Sequence, residues 1–107
     1  MTLKEIACAR SGDKGDSVNI GVVARSPELL PVIDRQLTPE RVFQYFRHCF
    51  PSDSVCETAV LKYSVPGIHA INFVLKGALG GGGVASLRVD PQGKAMAQML
   101  LDIDMEV

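Results

Sequence analysis

One short polar stretch between two apolar ones limits how this chain can fold. Residues 10–17 read Arg-Ser-Gly-Asp-Lys-Gly-Asp-Ser and combine two acids, two bases, two glycines and two hydroxyls. The segments at 6–9 and 18–24 on either side have the apolar composition of β-strands. Because a β-hairpin needs only about two to five turn residues, this connection is longer and more charged than a turn requires. We therefore predict a strand on each side and a functional site at the connection.

Composition places the chain among soluble globular proteins. It has 107 residues, of which 47% are hydrophobic and 21% charged, enough for one domain with its own core. The formal net charge of −1 argues against nucleic acid as a partner. No apolar run approaches the roughly 20 residues of a membrane helix, and residues 1–5 do not resemble a signal peptide, so we expect neither a membrane partner nor secretion.

The three cysteines, Cys8, Cys49 and Cys56, form no CxxC pair. Their odd number favours free thiols in a reducing cytoplasm, and their positions favour core or incidental cysteines over a nucleophile or metal ligand. Cys8 alternates with Ile6 on one face of the first predicted strand.

Periodicity and turn residues predict the remaining elements. Strands are expected at 3–10, 18–24, 57–65 and 84–90 and from 94 onward, with Val18, Ile20 and Val22 sharing one face. A short or broken helix is expected at 28–37, and a second from Thr38 until Pro51 ends it. A short helical piece is possible at 97–101, before acids and apolar residues alternate to the end of the sequence.

Residues 68–79 fit two structures. As a helix, the segment places four apolar residues on one stripe and His69 beside Asn72 on another, with Gly80 to Gly83 ending the helix. As a strand it alternates only fairly, and the glycines become a hairpin loop. We favour the helix, although Gly77 would cost ~1 kcal/mol in its interior.

The element order is strand, strand, helix or helices, strand, helix, strand, strand. An antiparallel or mixed sheet with helices packed on one face satisfies this order, which is a two-layer α+β sandwich. The length predicts a single domain over residues 1–107.

Several motifs resemble those of a known family. The residues from Arg10 to Asp16, followed by Asn19-Ile20-Gly21, resemble the start of the C-terminal domain of the acyclic terpene utilisation (AtuA-like) proteins. Further similar segments follow in order: Thr38 with Glu40-Arg41-Val42, His69-Ala70 with Asn72-Phe73-Val74-Leu75, Gly77-Ala78-Leu79-Gly80-Gly81-Gly82, Ser86-Leu87-Arg88 and Gly93-Lys94. The resemblance covers essentially the whole chain. It implies a ferredoxin-like fold with a mostly antiparallel sheet, and a chain that is one AtuA-like C-terminal domain.

The resemblance also implies a function. That family domain occurs fused behind a much larger domain and as a short separate protein. It therefore implies an accessory subunit or ligand-binding module that acts with a large AtuA-like partner in catabolism of acyclic terpenoid or related acyl-CoA compounds. The alternative is a free-standing small enzyme, or an acyl-CoA or carboxylate-binding protein, that uses the 10–16 stretch and His69. The resemblance names no reaction and no cofactor, so whether the chain is an enzyme stays open.

The candidate ligand-binding residues are the polar stretch, two asparagines and the glycine run: Arg10, Ser11, Gly12, Asp13, Lys14, Gly15, Asp16, Asn19, Asn72, Gly80, Gly81 and Gly82. Glycines let backbone N–H groups converge on an anionic small molecule, and Arg10 and Lys14 supply charge. Asp13 and Asp16 disfavour a simple phosphate cradle. With Asn19 they offer too few oxygens for calcium, so we predict no metal site.

The candidates for catalysis are Asp13, Lys14, Asp16 and His69, since histidine moves protons near neutral pH. Two structural alternatives stay open. The polar stretch can be a corner held by its own hydrogen bonds, and His69 can belong to the turn at Pro66-Gly67. A homo-oligomer paired through a sheet edge is a further possibility.

Overall fold

A computed structural model of the chain describes residues 1–14, 17–78 and 96–106. The strands are β1 (Ala7–Lys14), β2 (Ser17–Ala24), β3 (Val60–Val65) and β4 (Ala70–Leu75). The α-helices are α1 (Leu30–Gln36), α2 (Pro39–Tyr45), α3 (Cys56–Ala59) and α4 (Met96–Leu100). Short 3₁₀ turns lie at Leu3–Glu5, Pro27–Leu29, Arg47–Cys49 and Pro66–Ile68. No helix in these parts of the chain has the length and apolar character needed to cross a bilayer.

The strands form one antiparallel sheet in the order β1-β2-β4-β3. Its inner face carries the alternate residues of each strand, and three from β2 (Val18, Ile20 and Val22) are at most 1% exposed. Ile33 of α1 and Phe46 after α2 complete the same buried cluster. The predicted α+β sandwich with helices on one face is confirmed, as is the face predicted for 18–24.

The first two helical segments follow their local signals. Residues 27–36 form a 3₁₀ turn and then α1, which is the broken helix predicted around Pro31. Thr38 begins α2, and its hydroxyl accepts a hydrogen bond from the Arg41 backbone N–H at 3.1 Å. The expected extension of α2 to Pro51 is wrong, because the chain tightens into a 3₁₀ turn after Phe46. In a 3₁₀ turn residues three apart eclipse, which turns Phe46 and Cys49 toward the core together.

Two strands begin later than predicted. β1 starts at Ala7 because Leu3–Glu5 is a 3₁₀ turn and Ile6 leaves the extended region, with φ −124° and ψ −1°. This break shifts the alternation, so Ala7 is buried and Cys8 is exposed; the shared face predicted for Ile6 and Cys8 is wrong. β3 starts at Val60, because residues 56–59 form α3 instead of strand.

The favoured helix over residues 68–79 is wrong. Residues 70–75 form β4, which pairs with β2 on one side and β3 on the other. Ile71, Phe73 and Leu75 point into the core with the two-residue period of a strand. A strand between two partners makes its backbone hydrogen bonds with segments that are distant in sequence. A local pattern of residues does not reveal those partners.

The chain's last segment packs onto its first residues. The predicted helical piece is present as α4, and Ile103 and Met105 are buried while Asp102, Asp104 and Glu106 are exposed. Among the described residues this segment pairs only through an isolated bridge between Thr2 and Asp104, so it is not the predicted strand. The strand at 84–90, the turn after it and the glycine run lie outside the described residues.

Candidate functional site

The sheet has a second face that no described helix covers. We call it the open face. It consists of the outward side chains Cys8, Arg10 and Gly12 of β1, Ser17, Asn19, Gly21 and Val23 of β2, Leu61, Tyr63 and Val65 of β3, and Ala70, Asn72 and Val74 of β4. Arg10, Gly12, Asn19 and Asn72, four of the residues predicted from sequence to bind a ligand, lie on this face.

A row of four residues crosses the middle of the open face. Arg10 lies directly opposite Gly21, Gly21 opposite Asn72, and Asn72 opposite Tyr63. Neighbouring strands are about 4.8 Å apart, so Arg10 and Asn72 flank Gly21 with roughly 10 Å between their Cα atoms. Strand register therefore aligns residues that are far apart in sequence.

Two glycines leave space within this arrangement. A Cβ placed on Gly21 would meet only Asn72 Oδ1, at 3.9 Å, and one on Gly12 would meet nothing within 4 Å. Asn19 Nδ2 donates a hydrogen bond to Asn72 Oδ1 at 2.8 Å, which orients the Asn72 amide across the gap. The two glycines therefore leave open space beside Arg10 and the two bonded amides.

The long polar connection predicted at residues 10–17 is wrong. β1 and β2 pair as far as Lys14 and Ser17, so residues 10–14 are strand and only residues 15 and 16 separate the paired positions. Gly15, Asp16 and the side chains of Asp13 and Lys14 lie outside the described part of the chain. Their predicted roles in catalysis and ligand binding stay predictions.

Ser11 lies on the inner face of the sheet. Its hydroxyl accepts a hydrogen bond from the Ala97 backbone N–H, at the start of α4, at 3.1 Å. This contact connects β1 to the last helix. Ser11 is therefore separated by the sheet from Arg10 and the other open-face candidates.

His69 lies at the far end of the sheet from the β1–β2 connection. It is exposed, has a left-handed φ of 55° in the turn before β4, and accepts a hydrogen bond through its carbonyl from the Ala24 backbone N–H at 2.9 Å. Ser17 and Ala24 are the two ends of β2, which a strand separates by roughly 23 Å. The structure thus places His69 away from Asp13 and Lys14, and the helix that would have paired it with Asn72 is absent.

The pKa of Glu28 is below its usual value. A backbone hydrogen bond to its carboxylate is the largest cause, followed by the Ser26 hydroxyl, and the nearby charge of His69 contributes in the same direction. Glu28 is therefore an acidic neighbour of His69, close to the end of β2 at Ala24. This is consistent with the alternative that His69 belongs to the turn.

Apolar side chains form the other part of the open face. Seven large apolar side chains are exposed among the described residues, and Val23, Tyr63 and Val65 are on this face, with Ile68 in the turn that joins β3 to β4. Tyr63 is 51% and Ile68 61% exposed. The sequence analysis did not single them out.

The open face is cationic at the described positions. Arg10 is the one charged residue whose side chain the structure describes on this face, and none of the ion pairs among the described residues (Met1–Asp104, Lys4–Asp102, Lys62–Asp34) includes it. A second cationic residue, Lys14, pairs with Ser17 at the end of the same strand. Within the same residues, no group of three or more histidine, cysteine or acidic side chains could hold a metal ion. The side chains described on this face offer a charge and amide groups, but no acid–base pair.

A cavity of about 380 Å³ lies elsewhere, where α1 and α2 meet the C-terminal segment. Arg35 and Arg41 line it together with Asp104 and Glu106. The Gln36 side-chain amide donates a hydrogen bond to the Glu106 carbonyl and accepts one from the Glu106 backbone N–H. Arg41 donates to the carbonyl of Asp104. These contacts hold the C-terminal segment against α1 and α2, so the cavity lies between elements that pack against each other.

A family model described as the AtuA ferredoxin-like domain matches residues 1–106, which is nearly the whole chain. This match confirms the resemblance found in the sequence motifs. No curated protein and no solved structure matches significantly.

Proposed function

Because the chain belongs to the AtuA ferredoxin-like domain family, we propose that it is an accessory subunit that docks on a larger AtuA-like chain through the open face. The observation that carries this proposal is the asymmetry of the sheet. One face is buried under the helices, and the other carries predicted site residues beside exposed apolar side chains. The proposed setting is catabolism of acyclic terpenoid or related acyl-CoA compounds in the cytoplasm, where the three free thiols would stay reduced.

The shape of the open face favours a protein partner over a small molecule. Four strands of about six residues give a planar area of roughly 400 Å², and exposed apolar side chains, which mark contact sites where they cluster, occupy part of it. Small-molecule sites are concave and bury most of the ligand, whereas the described part of this face offers the open space left by two glycines. A flat amphipathic surface suits a second protein surface that excludes water from both.

The alternative is a free-standing enzyme or carboxylate-binding protein. It draws support from Arg10, Asn19 and Asn72, which lie together on one face. It has less support than the accessory role, because His69 lies roughly 23 Å along β2 from the β1–β2 connection and no described wall encloses the polar groups.

Co-purification tests the accessory role. The tagged chain and a large AtuA-like chain from the same organism are expected to elute as one complex at micromolar concentration. Val65→Asp should abolish the complex, because it places a charge on the apolar part of the open face, where Val65 is 39% exposed. Val55→Asp is the matched control, since Val55 is 57% exposed, lies before α3 and is not on the open face.

The control should keep the complex, and both variants should retain the wild-type circular dichroism spectrum. Absence of a wild-type complex at these concentrations, or a complex that survives Val65→Asp, would contradict the accessory role.

A further inference from the structure

We propose that the open face recognises a carboxylate side chain of the larger chain at Arg10, with an apolar side chain beside it packed on Val23 and Val65. This inference rests on the proposed function and specifies the chemistry of the partner surface. It assigns Arg10, Gly21 and Asn72 as the subsite that receives the carboxylate.

Charge is the first argument. Arg10 is exposed, is the one ionic side chain that the structure describes on the open face, and takes part in no ion pair among the described residues. A guanidinium that is desolvated at an interface needs an anionic partner, because an unpaired buried charge is strongly unfavourable. Its planar fork binds carboxylates through two parallel hydrogen bonds.

Space is the second argument. Gly21 stands between Arg10 and Asn72, and even a methyl group there would have a single neighbour at 3.9 Å. Any larger side chain at this position would occupy the gap beside the guanidinium. A glycine in a strand interior lowers stability, so the gap is kept at a cost to the sheet.

Hydrogen bonding is the third argument. Asn72 Oδ1 is already bonded to Asn19 Nδ2, and Asn72 Nδ2 has no hydrogen-bond acceptor among the described residues. This amide nitrogen is therefore a donor that faces the open side of the sheet. A carboxylate above Gly21 can accept from Arg10 on one side and Asn72 on the other.

The position of the partner's apolar side chain follows from the next row of residues across the open face. Cys8, Val23, Ala70 and Val65 lie opposite one another, two residues along each strand from the Arg10 row. Two residues along a strand span about 6.7 Å. The partner should therefore present an acid and an apolar side chain about that far apart, as residues i and i+2 of a strand do or, at about 5–6 Å, residues i and i+4 of a helix.

Charge and shape also disfavour other molecules as occupants of the open face. A second copy of this chain would bring one face against another whose described side chains also include a cation and no acid. Nucleic acid or an anionic membrane requires clustered basic residues, and the side chains described on the open face include one. A free small acid would lie half-solvated on a flat surface and bind only weakly.

Binding measurements with the larger chain give the first test. Arg10→Glu should weaken binding at least tenfold and lower the association rate, whereas Arg35→Glu, which makes the same charge change on α1, should leave both near wild type. If wild type binds and Val65→Asp prevents it, but Arg10→Glu binds like wild type, then the carboxylate subsite is refuted and the proposed function stands.

A partner-free test uses ¹⁵N-labelled protein and isovalerate, a carboxylate with a branched apolar group, at millimolar concentration. Isovalerate should shift the Gly21 amide and Asn72 side-chain resonances, and its neutral amide should not; Arg10→Gln should abolish the shifts. Equal shifts with both compounds, or shifts confined to other residues, would overturn the subsite. Isovalerate binding with a Kd below about 10 µM, or isovalerate binding by a protein that forms no complex with the larger chain, would overturn the assignment of the subsite to a partner side chain.

Discussion

Replacing Gly21 with alanine should make the protein more stable and make it a poorer binding partner. Gly21 is in the middle of β2, its φ is not positive, and a Cβ there would have only Asn72 Oδ1 within 4 Å, at 3.9 Å. That distance is an ordinary van der Waals contact, so the substitution introduces no clash. Alanine restricts the unfolded chain more than glycine does, which favours the folded state.

The expected gain is about 0.5–1 kcal/mol in the free energy of unfolding, the usual difference between glycine and alanine in a strand interior. For a domain near this size the gain raises the melting temperature by roughly 2–6 °C. It raises the urea midpoint by about 0.4 M if the slope is about 2 kcal/mol/M. The same methyl group narrows the gap beside Arg10, so binding of the larger chain should weaken.

Urea unfolding followed by circular dichroism measures the stability change, with Gly77→Ala as the matched control. Gly77 has a φ of +79°, where a side chain is strained, so this variant should lose ~1 kcal/mol or more. A destabilised Gly21→Ala protein would mean that the space above Gly21 is not open. A stabilised protein with unchanged binding would mean that the gap has no role in recognition.

Three further predictions test the fold and its thiols. Thr38→Ala removes the cap of α2 and should cost about 1 kcal/mol in urea unfolding; no loss would mean that the hydroxyl does not hold the helix start. Lys62→Met removes the contact from Nζ to Asp34 Oδ1 at 2.8 Å and should cost about 0.5–1 kcal/mol at low salt and less at 1 M salt; a loss independent of salt would contradict an ionic contribution. Cys8 should be alkylated faster than Cys56 at pH 7, because burial, and then nearby acids, raise the pKa of Cys56. The difference should narrow as the pH rises toward the pKa of Cys56, and mass spectrometry that finds equal rates at pH 7 would contradict this order.

Local sequence patterns predicted those parts of the fold that depend on local interactions. The alternation of Val18, Ile20 and Val22 marks an inner face, and Thr38 and Pro39 mark a helix start. The segment 70–75 was misassigned because it is apolar at every position except Asn72, and so short an apolar run fits a strand or a buried helix. Only pairing with β2 and β3 decides between them, and those partners are distant in sequence.

For the candidate site, too, local patterns predicted one part and pairing between distant segments decided the rest. Arg10, Asn19 and Asn72 could be singled out as polar residues in motifs, but strand register is what brings them beside Gly21. The length of the connection was overestimated because charged residues at 10–14 resemble a loop. Strands accept polar residues such as Arg10 on an uncovered face, and the inward Ser11 has a hydrogen-bond partner in the Ala97 backbone N–H. Tyr63 was missed because an apolar residue in an alternating strand is ordinarily assigned to a core.

Cysteine protection in the complex tests the central claim, that the open face is covered by the larger chain. Cys8 is exposed on this face in the row of Val23, and Cys56, which is half-buried in α3, is an internal control. Saturating the protein with the larger AtuA-like chain should slow alkylation of Cys8 at least tenfold and leave Cys56 unchanged. Complex formation that leaves the alkylation rate of Cys8 unchanged would show that the partner binds elsewhere and would contradict the docking role of the open face.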